Sequence, residues 1–90
     1  GAAAEVEAER AFLAAMGGGC RVPVAARARA DGAGNLSLRG VVASPDGTRL
    51  IKVTLDGPAA EPRDLGRRLG LAALARGAEA IIKAFPSEQK

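Results

Sequence analysis

Two short turn sequences, Asp31-Gly32-Ala33-Gly34-Asn35 and Ser44-Pro45-Asp46-Gly47, separate three runs in which residues alternate. In the first run Val22, Val24, Ala26, Ala28 and Ala30 alternate with Arg21, Pro23, Ala25, Arg27 and Arg29. In the second, Leu36, Leu38, Gly40 and Val42 alternate with Ser37, Arg39, Val41 and Ala43. In the third, Ile51, Val53 and Leu55 alternate with Lys52 and Thr54. A period of two is that of a strand with one buried face. The first separator is a cluster of turn residues, and in the second proline fixes φ and glycine is free to take φ > 0, so both read as turns. Connections this short join only antiparallel neighbours. A three-stranded antiparallel sheet follows. Pro23 has no N–H for a ladder and belongs at a strand start or on an edge. The small alanines of the first strand call for something packed closely over it.

Both flanks read as helices. Residues 2 to 16 are rich in Ala, Glu, Arg, Leu and Met, all good helix formers. At 100° per residue Val6, Phe12, Leu13 and Met16 fall in an arc about 120° wide, with Glu9 in its middle. A buried carboxylate needs a partner. Either Glu9 lies solvated at the domain edge, or it pairs with a basic group on another domain. Arg10 is its neighbour in sequence but points elsewhere. Residues 56–60 read as a connector, and Glu61-Pro62 as a helix start with proline at the first helical position. Leu65, Leu69 and Ala72 share a face, Gly77 caps the helix, and residues 78–84 form a short further helix carrying Ile81 and Ile82. Residues 86–90 read as a frayed tail. The expected fold is α+β, one domain over 1–90, order α-β-β-β-α with a short final helix. Its helices lie on one face of the sheet, and the other face is exposed or covered by a partner domain.

Composition narrows the chemistry. Ninety residues bury a thin core, and about half of the apolar ones are alanine. With no histidine, Cys-His, Ser-His and His-metal sites are excluded within the chain. A lone cysteine with scattered carboxylates makes no metal set. Gly32-x-Gly34 lacks the Lys-Ser/Thr ending of a phosphate loop. Glu5, Glu7 and Glu9, two apart on a helix, form no facing carboxylate pair. Net charge is +3, and Arg27, Arg29, Arg39, Arg49 and Lys52 fall as a stripe on the solvent side of the sheet, read first as a soluble surface. There is no Trp or Tyr and only two Phe, so base stacking has almost no material. One cysteine makes no internal disulfide, no apolar run approaches the length of a bilayer span, and Glu5, Glu7 and Glu9 interrupt any signal-peptide pattern. A cytoplasmic protein with no membrane and no nucleic-acid partner is expected.

Cys20 remains. It follows Met16-Gly17-Gly18-Gly19, a glycine hinge between the first helix and the first strand. Three glycines remove side chains from the approach to one sulfur and free the backbone. A thiolate is a strong nucleophile, and the adjacent Arg21 favours it. On the residues alone two readings stay open: a presented thiol, or a small buried apolar residue, as most lone cysteines are.

The segment Ala8-Glu9-Arg10-Ala11-Phe12-Leu13, a short gap, then Gly18-Gly19-Cys20-Arg21-Val22-Pro23-Val24 resembles the C-terminal domain of the porphobilinogen deaminase (hydroxymethylbilane synthase) family. The likeness continues through Asp31-Gly32, Leu36-x-Leu38-x-Gly40-Val41-Val42, Ser44-Pro45-Asp46-Gly47, Gly66 and Gly77-Ala78, covering most of residues 8 to 84. The family pattern more often has an acidic residue where this chain has Gly17. The resemblance implies that Cys20 carries a dipyrromethane cofactor through a thioether, with Gly18 and Gly19 forming its loop. That primer receives four porphobilinogen units with loss of ammonia, and linear hydroxymethylbilane is released. It also implies two preceding domains as partners, to which the catalytic aspartate and most carboxylate-binding arginines belong. Glu9 and Arg10 are then candidates for pairing between domains, and the 90-residue piece is expected to be inert and free of cofactor by itself. An RNA-binding module of the double-stranded type shares the element order. It wants a basic start to the last helix, where this chain has Glu61-Pro62-Arg63-Asp64.

Overall fold

A computed structural model describes residues 2–17 and 22–84. The elements are α1 (Ala2–Ala15), β1 (Val24–Ala30), β2 (Asn35–Ala43), β3 (Leu50–Pro58), α2 (Pro62–Ala73) and α3 (Glu79–Ala84), with a kinked segment over Leu74–Ala78 between the last two. The fold is α+β, as the alternation predicts. The sheet has the order β1-β2-β3, antiparallel throughout. Ala28 stands opposite Leu38, which stands opposite Leu55, so the inward rows of all three strands coincide.

Both turns are held by their own polar side chains. Asp31 Oδ1 accepts the N–H groups of Ala33 (2.7 Å) and Asn35 (3.1 Å), while Gly32 and Gly34 take positive φ. In the second turn Ser44 Oγ accepts from Thr48 N at 3.1 Å and Arg49 N at 2.9 Å, and it donates to Asp46 Oδ1 at 2.7 Å. Side-chain mimicry of backbone partners is why such residues favour turns over strands.

β3 runs further than its sequence indicates. Asp56, Gly57 and Pro58, read as connector, pair with Ser37, Leu36 and Asn35. Ala59 N donates to Gly34 O and Ser44 N to Arg49 O, which sets the alternation of the ladder and turns the Pro58 nitrogen away from β2. A proline is tolerated there because that edge of the sheet needs no donor. Gly57 is admitted because a Cβ would sit 3.0 Å from Leu65 Cδ1.

The two long helices lie side by side on one face, α1 over β1 and α2 over β3. The buried face of α1 is Ala8, Phe12 and Met16, with Ala4 and Ala15 beside them. Val6 and Leu13, placed on that face by the apolar arc, are 42% and 39% exposed. Small residues decide the rotation. A Cβ on Gly66 would stand 2.6 Å from Ala11 Cβ, and one on Gly70 would stand 2.4 Å from Ala15 Cβ. The helices meet where side chains are smallest, and Phe12 then falls across Gly40, whose missing side chain makes room for the ring. On α2 the buried line is Leu65, Leu69 and Ala73; Ala72, grouped with the leucines from sequence, is exposed. Gly77 (φ 127°, ψ −7°) breaks the helical run, and α3 turns back to bury Ile81.

Candidate functional site

Gly18, Gly19, Cys20 and Arg21 lie outside the described residues, as does the tail at 86–90. Their flanks pack into the core. On the α1 side Met16 is buried, its N–H donates to Phe12 O at 3.2 Å, and Gly17 N donates to Ala14 O at 3.0 Å. Gly17 itself has φ +85°, and nothing lies within 4 Å of where a Cβ would be. On the β1 side Val22 is buried, and Pro23 O accepts from Ala43 N at 3.0 Å. The thiol-bearing segment therefore bridges two points fixed in the core. A groove of about 500 Å³ runs beside its first anchor, lined by Ala15, Met16, Gly17, Leu71, Leu74 and Ile82, with the Lys83–Glu79 ion pair (3.3 Å) at its rim.

Glu9 has a partner inside the chain that neither sequence reading contained. Its Oε2 accepts the N–H of Ala28 at 2.7 Å, and Glu5 Oε2 accepts that of Ala30 at 2.8 Å. The even-numbered residues of β1 point their N–H groups away from β2, since the ladder bonds to β2 use Pro23 O and Asp31 N. The two carboxylates thus cover donors on the free edge of the sheet. The signal was present in the spacing. Residues four apart on a helix rise about 6 Å, close to the ~6.7 Å between alternate residues of a strand. Two glutamates at i and i+4 can therefore follow a strand edge in register.

Arg10 is exposed and lines a second groove, of about 770 Å³, between α1 and α2. Glu7, Arg63, Asp64 and Arg67 share it, and Arg63 Nε lies 3.8 Å from Glu7 Oε1. Asp64 is paired with Arg67 (3.2 Å) and Arg68 (3.5 Å), so the start of α2 neutralises itself rather than offering a phosphate grip. Among the described residues no cluster of metal-ligating side chains occurs, and no helix is long and apolar enough to cross a membrane.

Known proteins extend these observations. A family model described as "Porphobilinogen deaminase, C-terminal domain" matches residues 3–75. A porphobilinogen deaminase of Rubrobacter xylanophilus is 56% identical over 78 residues, covering 87% of this chain and 25% of the relative. The enzyme of Nitratidesulfovibrio vulgaris is 46% identical over 86% of this chain and 24% of its own length. That of Methylobacillus flagellatus is 42% identical over 96% and 27%. The chain spans about a quarter of the length of the curated relatives it matches. On the matched residues, the helix–sheet–helix fold and the identities, the chain belongs to the porphobilinogen deaminase C-terminal domain family.

Proposed function

We propose that this chain is the cofactor-carrying domain of a porphobilinogen deaminase and that Cys20 is the attachment point of its dipyrromethane. The observation that carries the reading is the family match over residues 3–75, which spans the Gly-Gly-Cys segment. The local chemistry fits a covalent pyrrole anchor. One soft sulfur nucleophile, flanked by glycines and the cation Arg21, suits capture of an electrophilic carbon. Met16 and Val22 hold the ends of the segment, so the sulfur is tethered within a few residues of the core. When bound, the dipyrromethane supplies the primer end to which further porphobilinogen units are joined in the parent enzyme.

In this reading the chain's own residues bind and position. Gly17 to Gly19 carry no side chains to compete with a pyrrole chain for space beside the anchor. Arg10, exposed on α1, is the candidate for pairing with the two preceding domains, while Glu9 is engaged within the chain at the edge of β1. Acid–base chemistry is assigned to those domains, and the 90-residue chain alone is inert. The reaction belongs to tetrapyrrole synthesis, a transferase activity of the full-length protein.

The test is the intact mass of the full-length protein and its Cys20→Ser variant. A dipyrromethane-sized excess is expected on the wild type and not on the variant. Equal masses after incubation with porphobilinogen would overturn the assignment.

A further inference from the structure

We propose that the open face of the sheet is a binding site for a multivalent oxyanion, held by Arg27, Arg29 and Arg39 with the Thr54 hydroxyl. These residues, with Ser37, Leu38 and Asp56, line a depression of about 520 Å³ on the side of the sheet away from the helices.

The register explains why the charges converge. Arg27 stands directly opposite Arg39, and Arg39 directly opposite Thr54. Arg27 and Arg39 are a hydrogen-bonded pair, with Cα atoms about 5.5 Å apart, and Arg39 and Thr54 a non-hydrogen-bonded one, about 4.5 Å apart. Arg29 is the next outward position along β1, about 6.7 Å away. Like charges placed directly opposite destabilise a sheet. None of the three arginines makes an ion pair among the described residues. The one carboxylate in the depression, Asp56, accepts the Ser37 hydroxyl at 2.8 Å. Three guanidiniums and one carboxylate leave a surplus of two positive charges.

The geometry selects the ligand class. A guanidinium presents a planar fork of donors that matches carboxylate and phosphate oxygens in pairs. Two forks facing across neighbouring strands fit a ligand with two anionic groups a few ångströms apart, such as a di- or tricarboxylate or a pyrophosphate. A third fork along β1 extends the reach to one more group. The site lies on the face opposite α1 and α2, so it requires nothing of Cys20 and stands whether or not the thiol carries a cofactor.

The experiment is arginine footprinting with phenylglyoxal on the full-length protein, read by peptide mass spectrometry, with exposed Arg68 as the internal reference. The added anions are pyrophosphate, citrate and poly-L-glutamate, each against sodium chloride of equal ionic strength to remove general screening. A shallow site with Kd about 1 mM is roughly 90% filled at ~10 mM ligand. Modification of Arg27, Arg29 and Arg39 is then expected to slow about tenfold, with Arg68 unchanged. Protection by citrate or pyrophosphate marks a free small anion as the source. Protection by poly-L-glutamate alone marks the acidic side chains of another polypeptide. Arg39→Gln should abolish the protection at Arg27 in either case, and Arg39→Lys, which keeps the charge without the fork, should weaken it. Rates equal to the chloride control in all three arms overturn the proposal. So does full protection that survives Arg39→Gln, and so do arginines already unreactive before any anion is added, which would mean the face is covered.

Discussion

At Asp46 three hydrogen bonds converge on one carboxylate oxygen. Oδ1 accepts from Ser44 Oγ (2.7 Å), Thr48 Oγ1 (2.8 Å) and Thr48 N (3.1 Å). Ser44 contributes most and Thr48 next, and together they lower the Asp46 pKa from 3.8 to about 2. Hydrogen bonds to the ionised form favour that form. The sign of the consequence is fixed by linkage. With the folded pKa below the unfolded one, the stabilisation is complete above about pH 4 and is lost as pH falls toward about 2. Asp31 behaves in the same direction, held down first by the Ala33 N–H and then by Asn35. The Asp46→Asn variant should therefore show a flatter dependence of its urea midpoint between pH 4 and pH 2 than the wild type. Parallel curves would show that the turn does not couple to folding. Both turns were readable from their Asp, Ser, Pro and Gly residues, because a turn states its hydrogen-bond acceptors in the sequence itself.

The elements differ in how openly they declare themselves. β1, β2 and β3 could be placed from a period of two and two tight turns, but the alternation began the first strand at Val22 where β1 starts at Val24, and the extension of β3 through Pro58 escaped, since proline reads as a break until the free edge is known. The rotation of α1 escaped because apolar size is a poor guide where alanine and glycine form the contact. Ala8 is fully buried, while the larger Val6 and Leu13 are partly exposed. Helix–helix approach at Gly66 and Gly70 is a property of two elements together, and neither helix states it alone. The same holds for the contact of Glu9 with Ala28. That contact is an ionised acceptor on a partly buried backbone donor at 2.7 Å, a type worth about 1.5–3 kcal/mol. Glu9→Ala should lower stability by roughly 1–3 kcal/mol and speed amide exchange at Ala28 more than at residues of β2. Unpaired strand edges also invite pairing with other chains, so combining it with Glu5→Ala should raise self-association at high concentration. Unchanged exchange at Ala28 would mean that water replaces the carboxylate without loss, and that α1 is held by its apolar face alone.

Across the whole molecule, stability rests on one thin core, which also holds the two flanks of the Cys20 segment. Its largest fully buried side chains are Phe12, Leu36, Leu38, Leu65, Leu69, Ile81 and Val42. Phe12 is the only aromatic among them, and it joins α1 to the middle strand through Gly40 and lies next to α2 at Gly66. A domain of 90 residues has roughly 5–14 kcal/mol of net stability. Truncating a buried phenylalanine to alanine removes about 3–5 kcal/mol. One substitution therefore takes a third or more of the total at the middle of that range, and nearly all of it at the low end. Phe12→Ala should move the urea midpoint down by about a third or more, or leave the chain unfolded. Leu50→Ala, at a side chain 60% exposed, should stay within about 0.5 kcal/mol of the wild type. The effect should reach the thiol segment as well, because Phe12 and Met16 hold its first end and Val22 its second within the same cluster. If Cys20 is the anchor, full-length Phe12→Ala should carry less dipyrromethane by intact mass than Leu50→Ala prepared alongside it. Equal loading at clearly different stabilities would separate attachment from the packing of this domain and assign the positioning of the sulfur to the rest of the enzyme.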